Sequence, residues 1–374
     1  NLRWNEMTCM HRGVNPFRIW NREIQDPEFH GLARRDLDGP DAVLDFDRSV
    51  NGYPPWHAVF FWWYGWLPYG HVVAVFFMLT GMALCGVLQF FLRHQPDEWS
   101  ARALYWSALA SLFLEHVMSL VVSGNYGGLI AGLLAMFLCA VRARRHVVAG
   151  LLWAVMMIKS QLVLLLFWPL LFQRRYVTIG VAAATCLAAT FVPACLLHES
   201  PVELIRQIVV QGMPYVLSPE WWKPLDGLLG VFSNFVRMGV FSAVCAGIAW
   251  KMRNVKPEMF RYAAPFIVLP VAFYCPGYDL VVAWPAAFLA LVWLCGLPAR
   301  RLGLFLLCWT PCAVFKSAWW AARRFYGFNA AGLGWIYSAV DLASLLVCAA
   351  VFAGAVKALV RNGRAPATEQ EVAA

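Results

Sequence analysis

From residue 57 to residue 358 the chain runs in long apolar blocks, separated by short connections that are basic or rich in turn-forming residues. An apolar helix needs about 20 residues to cross the hydrocarbon core of a bilayer, so block length predicts where the chain crosses. Crossings are expected at 70–92, 103–122, 126–141, 177–197, 228–250, 261–275, 279–296, 302–317 and 333–357. Residues 146–173 follow a different rule. Arg142, Arg144 and Arg145 precede this block, Arg174 and Arg175 follow it, and Lys159, Ser160 and Gln161 interrupt it. Basic residues at both ends place both ends on one side. A hairpin of two short helices with a polar apex fits this block better than one long helix. The expected fold is therefore all-α: a polytopic integral membrane protein of about 11–12 transmembrane or re-entrant helices.

Composition agrees with the pattern and isolates an exception. Across the 374 residues 61% are apolar and 14% charged, and the mean hydropathy is +0.60, well outside the balance of a soluble domain. Residues 1–56 nevertheless hold nine of the 21 acidic residues, among them Glu6, Glu23 and Asp47. Three parts follow: a watery first loop over 1–56, a multi-spanning membrane domain over 57–358, and a disordered tail over 359–374. Alternate connections hold most of the Lys and Arg, from Arg93 to Arg364. Retention of basic residues on the cytoplasmic side puts the tail there and the first loop on the extracytoplasmic face of the cell membrane. The net charge of +9 then reports topology and implies no nucleic-acid partner. A first loop that starts across the membrane at Asn1 leads us to expect a preceding transmembrane helix.

Eleven cysteines show no metal-type spacing, and several, such as Cys139 and Cys245, fall inside apolar blocks as packing residues. Many of the 19 tryptophans stand at block ends, including Trp56, Trp62, Trp63 and Trp66, as an interfacial belt requires. The stretch from His57 to Pro68 is too short to span and is expected to lie along the outer interface.

Polar groups at membrane depth are costly, so those present point to chemistry. Five clusters stand out: Trp4-Asn5-Glu6 with Gly13-Val14-Asn15-Pro16-Phe17, Tyr53-Pro54-Pro55-Trp56, Gly124-Asn125-Tyr126-Gly127, Lys159-Ser160-Gln161, and Pro276-Gly277-Tyr278-Asp279. By the charge rule all five lie at or near the extracytoplasmic face.

In kind and order these motifs resemble glycosyltransferase family 87, multi-spanning polyprenyl-phosphate-dependent transferases of the C-type superfamily. An acid after the first span is similar to Glu6, a Gly-x-Asx-Pro-aromatic turn to Gly13–Phe17, and a Tyr-Pro-Pro re-entry to Tyr53-Pro54-Pro55. A later polar turn is similar to Gly124-Asn125, and a Lys-Pro pair in a helical hairpin to Lys159-Ser160. Two departures are visible. Glutamate stands where the family usually has aspartate, and Ser160 where it has proline.

The resemblance implies a hexosyltransferase that moves a sugar, mannose by analogy, from a polyprenyl-phosphate donor to a lipid or glycan acceptor. Membrane lipids, the lipid-linked donor and the acceptor are its expected partners. No dissociable cofactor or metal ligand set is assigned. The first choice of catalytic base toward the acceptor hydroxyl is Glu6; the second catalytic candidate, read from its place after Pro276-Gly277-Tyr278, is Asp279, which either orients sugar or acceptor or caps the helix it begins. Lys159 would neutralise the donor phosphate, with Gln161, Asn125, Tyr53, Arg206 and Arg323 completing the substrate-binding set. The competing class is a polytopic transporter or lipid flippase, since broken helices also mark substrate paths. No repeated halves are present, and the carboxylates gather in a loop instead of lining the spans.

Overall fold

The computed structural model describes residues 54–93, 126–206 and 233–255, with single positions among residues 7–15, 258–266 and 350–357. The chain divides into two compact units, residues 1–87 with 118–217 and residues 88–117 with 218–374. Among the described residues every regular element is a helix.

The elements begin with α1 (His57–Phe61), a 3-10 turn (Trp62–Trp66) and α2 (Tyr69–Arg93). After these come α3 (Gly127–Arg142) and α4 (His146–Met156). A broken stretch then alternates 3-10 turns (Met157–Lys159, Leu164–Leu166) with α5 (Ser160–Val163) and α6 (Phe167–Phe172). Long helices α7 (Tyr176–Leu196) and α8 (Ser233–Met252) complete the set. Two helices are long and apolar enough to cross a membrane, over Gly70–Val87 and Tyr176–Leu196. The expected crossings at 70–92, 126–141, 177–197 and 228–250 coincide with α2, α3, α7 and α8 to within a few residues. Those at 103–122, 279–296 and 302–317 lie outside the described residues, as do nearly all of 261–275 and 333–357.

Helix α7 shows how these elements suit lipid. It buries Thr178, Ala182, Ala189, Thr190, Pro193 and Ala194 and exposes Val177, Leu187, Phe191 and Val192. A helix in water does the reverse, hiding its large apolar side chains. Small residues inside let backbones approach, and large apolar ones outside are what a helix facing acyl chains would carry. Two glycines mark the closest approaches. A Cβ on Gly132 of α3 would fall 2.6 Å from the Ala83 Cβ of α2, and one on Gly150 of α4 would fall 2.8 Å from the Thr178 carbonyl oxygen of α7.

Tight reversals join the helices. Arg144, Arg174 and His198 have positive φ of 54°, 55° and 52°. In each case the amide of the next residue reaches back to a carbonyl five residues earlier: Arg145 to Ala140, Arg175 to Leu170 and Glu199 to Ala194. This is the Schellman closure, built here without glycine; the left-handed position costs an L-residue about 1–2 kcal/mol.

Contacts between α4 and α7 settle the direction of the chain. The Thr178 hydroxyl donates to the His146 carbonyl at 3.2 Å, and the Cys186 thiol donates to the Ala154 carbonyl at 3.9 Å. Residue numbers rise together along both helices, so α4 and α7 run side by side in the same direction. Between them the chain must turn and come back. Arg175 Nη1 lies 3.2 Å from His146 Nε2, which closes the base of the hairpin expected over 146–173.

Candidate functional site

The hairpin apex is where regular helix geometry fails. After Met156 the backbone passes through a 3-10 turn, a single turn of α-helix and another 3-10 turn before α6. Each change of helix type releases carbonyls from their usual i→i−4 partners, and in an apolar interior those groups must be satisfied elsewhere. Two tryptophans do this. The Trp153 indole N–H donates to the Val163 carbonyl at 3.1 Å, across the hairpin, and the Trp56 indole N–H donates to the Met157 carbonyl at 3.1 Å.

Lys159 ends the first 3-10 turn, with φ −109° and ψ 70°. Its side chain is 3% exposed, and Ile158, Leu162, Val163 and Leu166 around the apex are buried as completely. A cation held in such surroundings acts over a lower dielectric than a surface lysine and attracts an anion more strongly. Helix α4 spans about 16 Å at about 1.5 Å per residue, so the apex stands about that far from the turn at His146. The register with α7 places it level with the C-terminal third of that helix, away from Arg144 and Arg174.

The Tyr53-Pro54-Pro55-Trp56 motif meets this apex through Trp56. Pro54 and Pro55 are buried, and the Pro54 carbonyl accepts both the His57 amide at 3.0 Å and His57 Nδ1–H at 2.7 Å. That turn starts α1, which packs against α7. Beyond it lies a buried aromatic group. Phe61 meets Tyr64 at 5.1 Å and stacks on Tyr126 at 4.6 Å, and Phe76 closes on Tyr126 at 5.7 Å. Burial raises the Tyr64 phenol far above its ordinary range, so it stays neutral at physiological pH. Tyr126 belongs to the third polar motif, so three of the five motifs converge in one unit.

The first loop also reaches this unit. Met7 and Met10 are buried, His11 lies against Trp62, and the Asn15 amide donates to Glu199 Oε1 at 3.4 Å. Glu199 follows the C-terminus of α7, at the end remote from the arginine turns.

Sequence-predicted positions divide as follows. Lys159 is at the apex, and Gln161 follows it on α5. Arg206, within residues 201–206, is exposed and paired in its own helix with Glu203 at 2.9 Å. Glu6, Tyr53, Asn125, Asp279 and Arg323 lie outside the described residues. Two buried groups were missed or undervalued. His57 carried no motif beyond its place after Pro-Pro-Trp. Arg237, which carried no motif, is fully buried on α8, in line with buried Phe241, Cys245 and Ala249. Among the described residues no cluster of three or more His, Cys, Asp or Glu side chains is placed to hold a metal ion.

Comparison with known families decides the identity. The sequence profile of glycosyltransferase family 87 matches residues 51–268, more than half of the chain. The chain belongs to glycosyltransferase family 87. No curated protein and no solved structure matches it. The family 87 match takes in Tyr53-Pro54-Pro55, Asn125 and the Lys159 hairpin, so the apex described above belongs to the family's own region. The protein is a glycosyltransferase and therefore takes a sugar donor and an acceptor. Glu6, Asp279 and Arg323 fall outside the matched segment.

Proposed function

We propose that this family 87 enzyme transfers a hexose, mannose in the favoured case, from a polyprenyl-phosphate donor to a lipid or glycan acceptor at the extracytoplasmic face of the cell membrane. The observation that carries the reading is the buried Lys159 at the apex of a hairpin whose two ends return to the same arginine-rich turns. A lipid-linked donor keeps its polyprenyl tail among acyl chains and its phosphate near the interface. A lysine reached from within the membrane suits that phosphate better than it suits a freely soluble donor.

Orientation follows from the same unit. Arg142, Arg144, Arg145, Arg174 and Arg175 mark the cytoplasmic end by the charge rule. The contacts of Trp56 with Met157 and of Asn15 with Glu199 support an opposite, extracytoplasmic end at which the first loop and the apex meet. The undescribed spans complete a polytopic fold in this reading.

The chemistry is a single displacement. Glu6 takes the proton of the acceptor hydroxyl as its oxygen bonds to the anomeric carbon, and the bond from that carbon to the phosphate oxygen breaks. The leaving phosphate carries away the electron pair, and Lys159 neutralises the charge that develops there. Asp279 orients sugar hydroxyls, with Asn125, Gln161 and Tyr53 beside it, and Arg323 adds positive potential. Arg206 has the smaller part, since its guanidinium is engaged by Glu203.

The test is transfer of radiolabel from polyprenyl-phosphate mannose to a membrane lipid extract by the purified chain, beside Glu6→Gln. Glutamine keeps the shape and loses the basicity, so we expect a loss of about a hundredfold in kcat/KM, or about 2.7 kcal/mol of transition-state stabilisation. Parent-like rates in Glu6→Gln would remove Glu6 as the base.

A further inference from the structure

The five residues Trp62-Trp63-Tyr64-Gly65-Trp66 form a 3-10 turn with one residue that lacks a Cβ. His11, 51 positions earlier, fills the space so left. A Cβ on Gly65 would stand 2.8 Å from His11 Cδ2 and 2.9 Å from His11 Nε2, closer than packed atoms tolerate. The imidazole stacks on Trp62 with ring centroids 4.0 Å apart and planes 27° apart, and it meets the Trp66 ring edge-on at 5.5 Å. His11 Nε2 lies 2.9 Å from the Trp62 carbonyl oxygen. That oxygen only accepts, so the hydrogen bond fixes the proton on Nε2.

The same short segment is anchored twice more. Met7 is 0% and Met10 2% exposed, and Met10 and His11 are consecutive helical residues. Two buried methionines and a stacked imidazole therefore anchor the same short stretch of chain. Glu6 is joined directly to Met7.

We propose that His11 is a positioning residue for the first loop, whose seat in the Trp62–Trp66 turn fixes where the chain delivers Glu6. This rests on the reading of Glu6 as the base. A base must be held within a fraction of an ångström of its productive place, and a latch five residues away, backed by two buried methionines, would limit how far the chain beside Met7 can wander. His11 itself touches neither donor nor acceptor in this account. Removing it slows the chemical step and leaves donor affinity alone.

The experiment compares the full-length parent with His11→Ala, Gly65→Ala, the double variant and Glu6→Gln. It uses polyprenyl-phosphate mannose as donor and hydrogen exchange on the peptide covering the first 20 residues. We expect His11→Ala to lower kcat between about ten- and a hundredfold with KM for the donor within about twofold of the parent. Gly65→Ala pushes a methyl into the imidazole's place and lowers kcat in the same sense. The double variant is no worse than His11→Ala, because both remove one interaction. Exchange in the first 20 residues speeds up in His11→Ala and Gly65→Ala but not in Glu6→Gln. Unchanged exchange and parent-like kcat in His11→Ala would overturn the proposal, as would losses that multiply in the double variant. Parent-like transfer by Glu6→Gln would instead remove the base assignment, and the exchange data would still decide whether His11 latches the loop.

Discussion

Lys159→Met is expected to lower kcat/KM for transfer from a polyprenyl-phosphate sugar by about a hundred- to a thousandfold, corresponding to about 2.7–4 kcal/mol. Methionine matches lysine in length and suits an apex where Ile158, Leu162 and Val163 are also buried, so the hairpin is expected to keep its packing. What disappears is the charge proposed to meet the leaving phosphate. At 3% exposure little water reaches this side chain to screen the ammonium, so its effect on a developing anion is larger than that of a surface lysine. Lys159→Arg is expected to restore only part of the rate, because a planar fork does not fit a site built round a compact ammonium. Initial rates against donor concentration test this. A Lys159→Met enzyme within about threefold of the parent would dissociate the hairpin cation from catalysis.

Gly150→Leu is the second large effect, and it acts on the frame. A Cβ at this position would stand 2.7 Å from the Val181 Cβ and 2.8 Å from the Thr178 carbonyl oxygen. The second of these belongs to the backbone of α7, so the clash cannot be relieved by turning a side chain. Overpacking of this kind costs about 1–3 kcal/mol, and leucine carries three further carbons into the same gap, so a loss of about 3 kcal/mol or more is expected. The pairing of α4 with α7 holds the base of the hairpin, and its loss releases the apex as well. Heating of detergent-solubilised protein followed by size-exclusion chromatography measures the effect. Gly180→Ala, on α7 itself, is the matched control: nothing lies within 4 Å of a Cβ there, so it leaves thermal stability unchanged or slightly raised. Equal survival of Gly150→Leu and Gly180→Ala would contradict the close α4–α7 contact.

The parts of this fold legible in the sequence were those with a local cause. Hydropathy over about 20 residues marks an apolar helix wherever the chain repeats it, so α2, α3, α7 and α8 fell close to their expected bounds, and α2 and α7 are long and apolar enough to cross a membrane. The reversal between α4 and α7 was also legible, because arginines at both ends of one block can be counted without knowing the fold. Lys159 stood out for a related reason: a cation set in an apolar hairpin is expensive wherever it lies.

Contacts distant in sequence left no such trace. Trp56 meets Met157 across 101 positions, His11 meets Trp62 across 51 and Asn15 meets Glu199 across 184. Tryptophans near a membrane segment read first as an interfacial belt, and nothing in the local pattern separates Trp56, which completes the hydrogen bonding of the apex, from Trp66, which is 68% exposed. The same blindness affected the cations. Arg206 and Arg237 look alike in sequence, yet one is tied to Glu203 at the surface and the other is wholly buried.

The most direct measurement is a donor competition with the purified parent chain in lipid nanodiscs, offering polyprenyl-phosphate mannose and a nucleotide-diphosphate mannose carrying different radiolabels to one acceptor extract. Label is expected to reach the acceptor only from the polyprenyl-phosphate donor, and this transfer is expected to disappear in Lys159→Met. Label transferred from the nucleotide sugar instead, at rates untouched by Lys159→Met, would contradict that expectation.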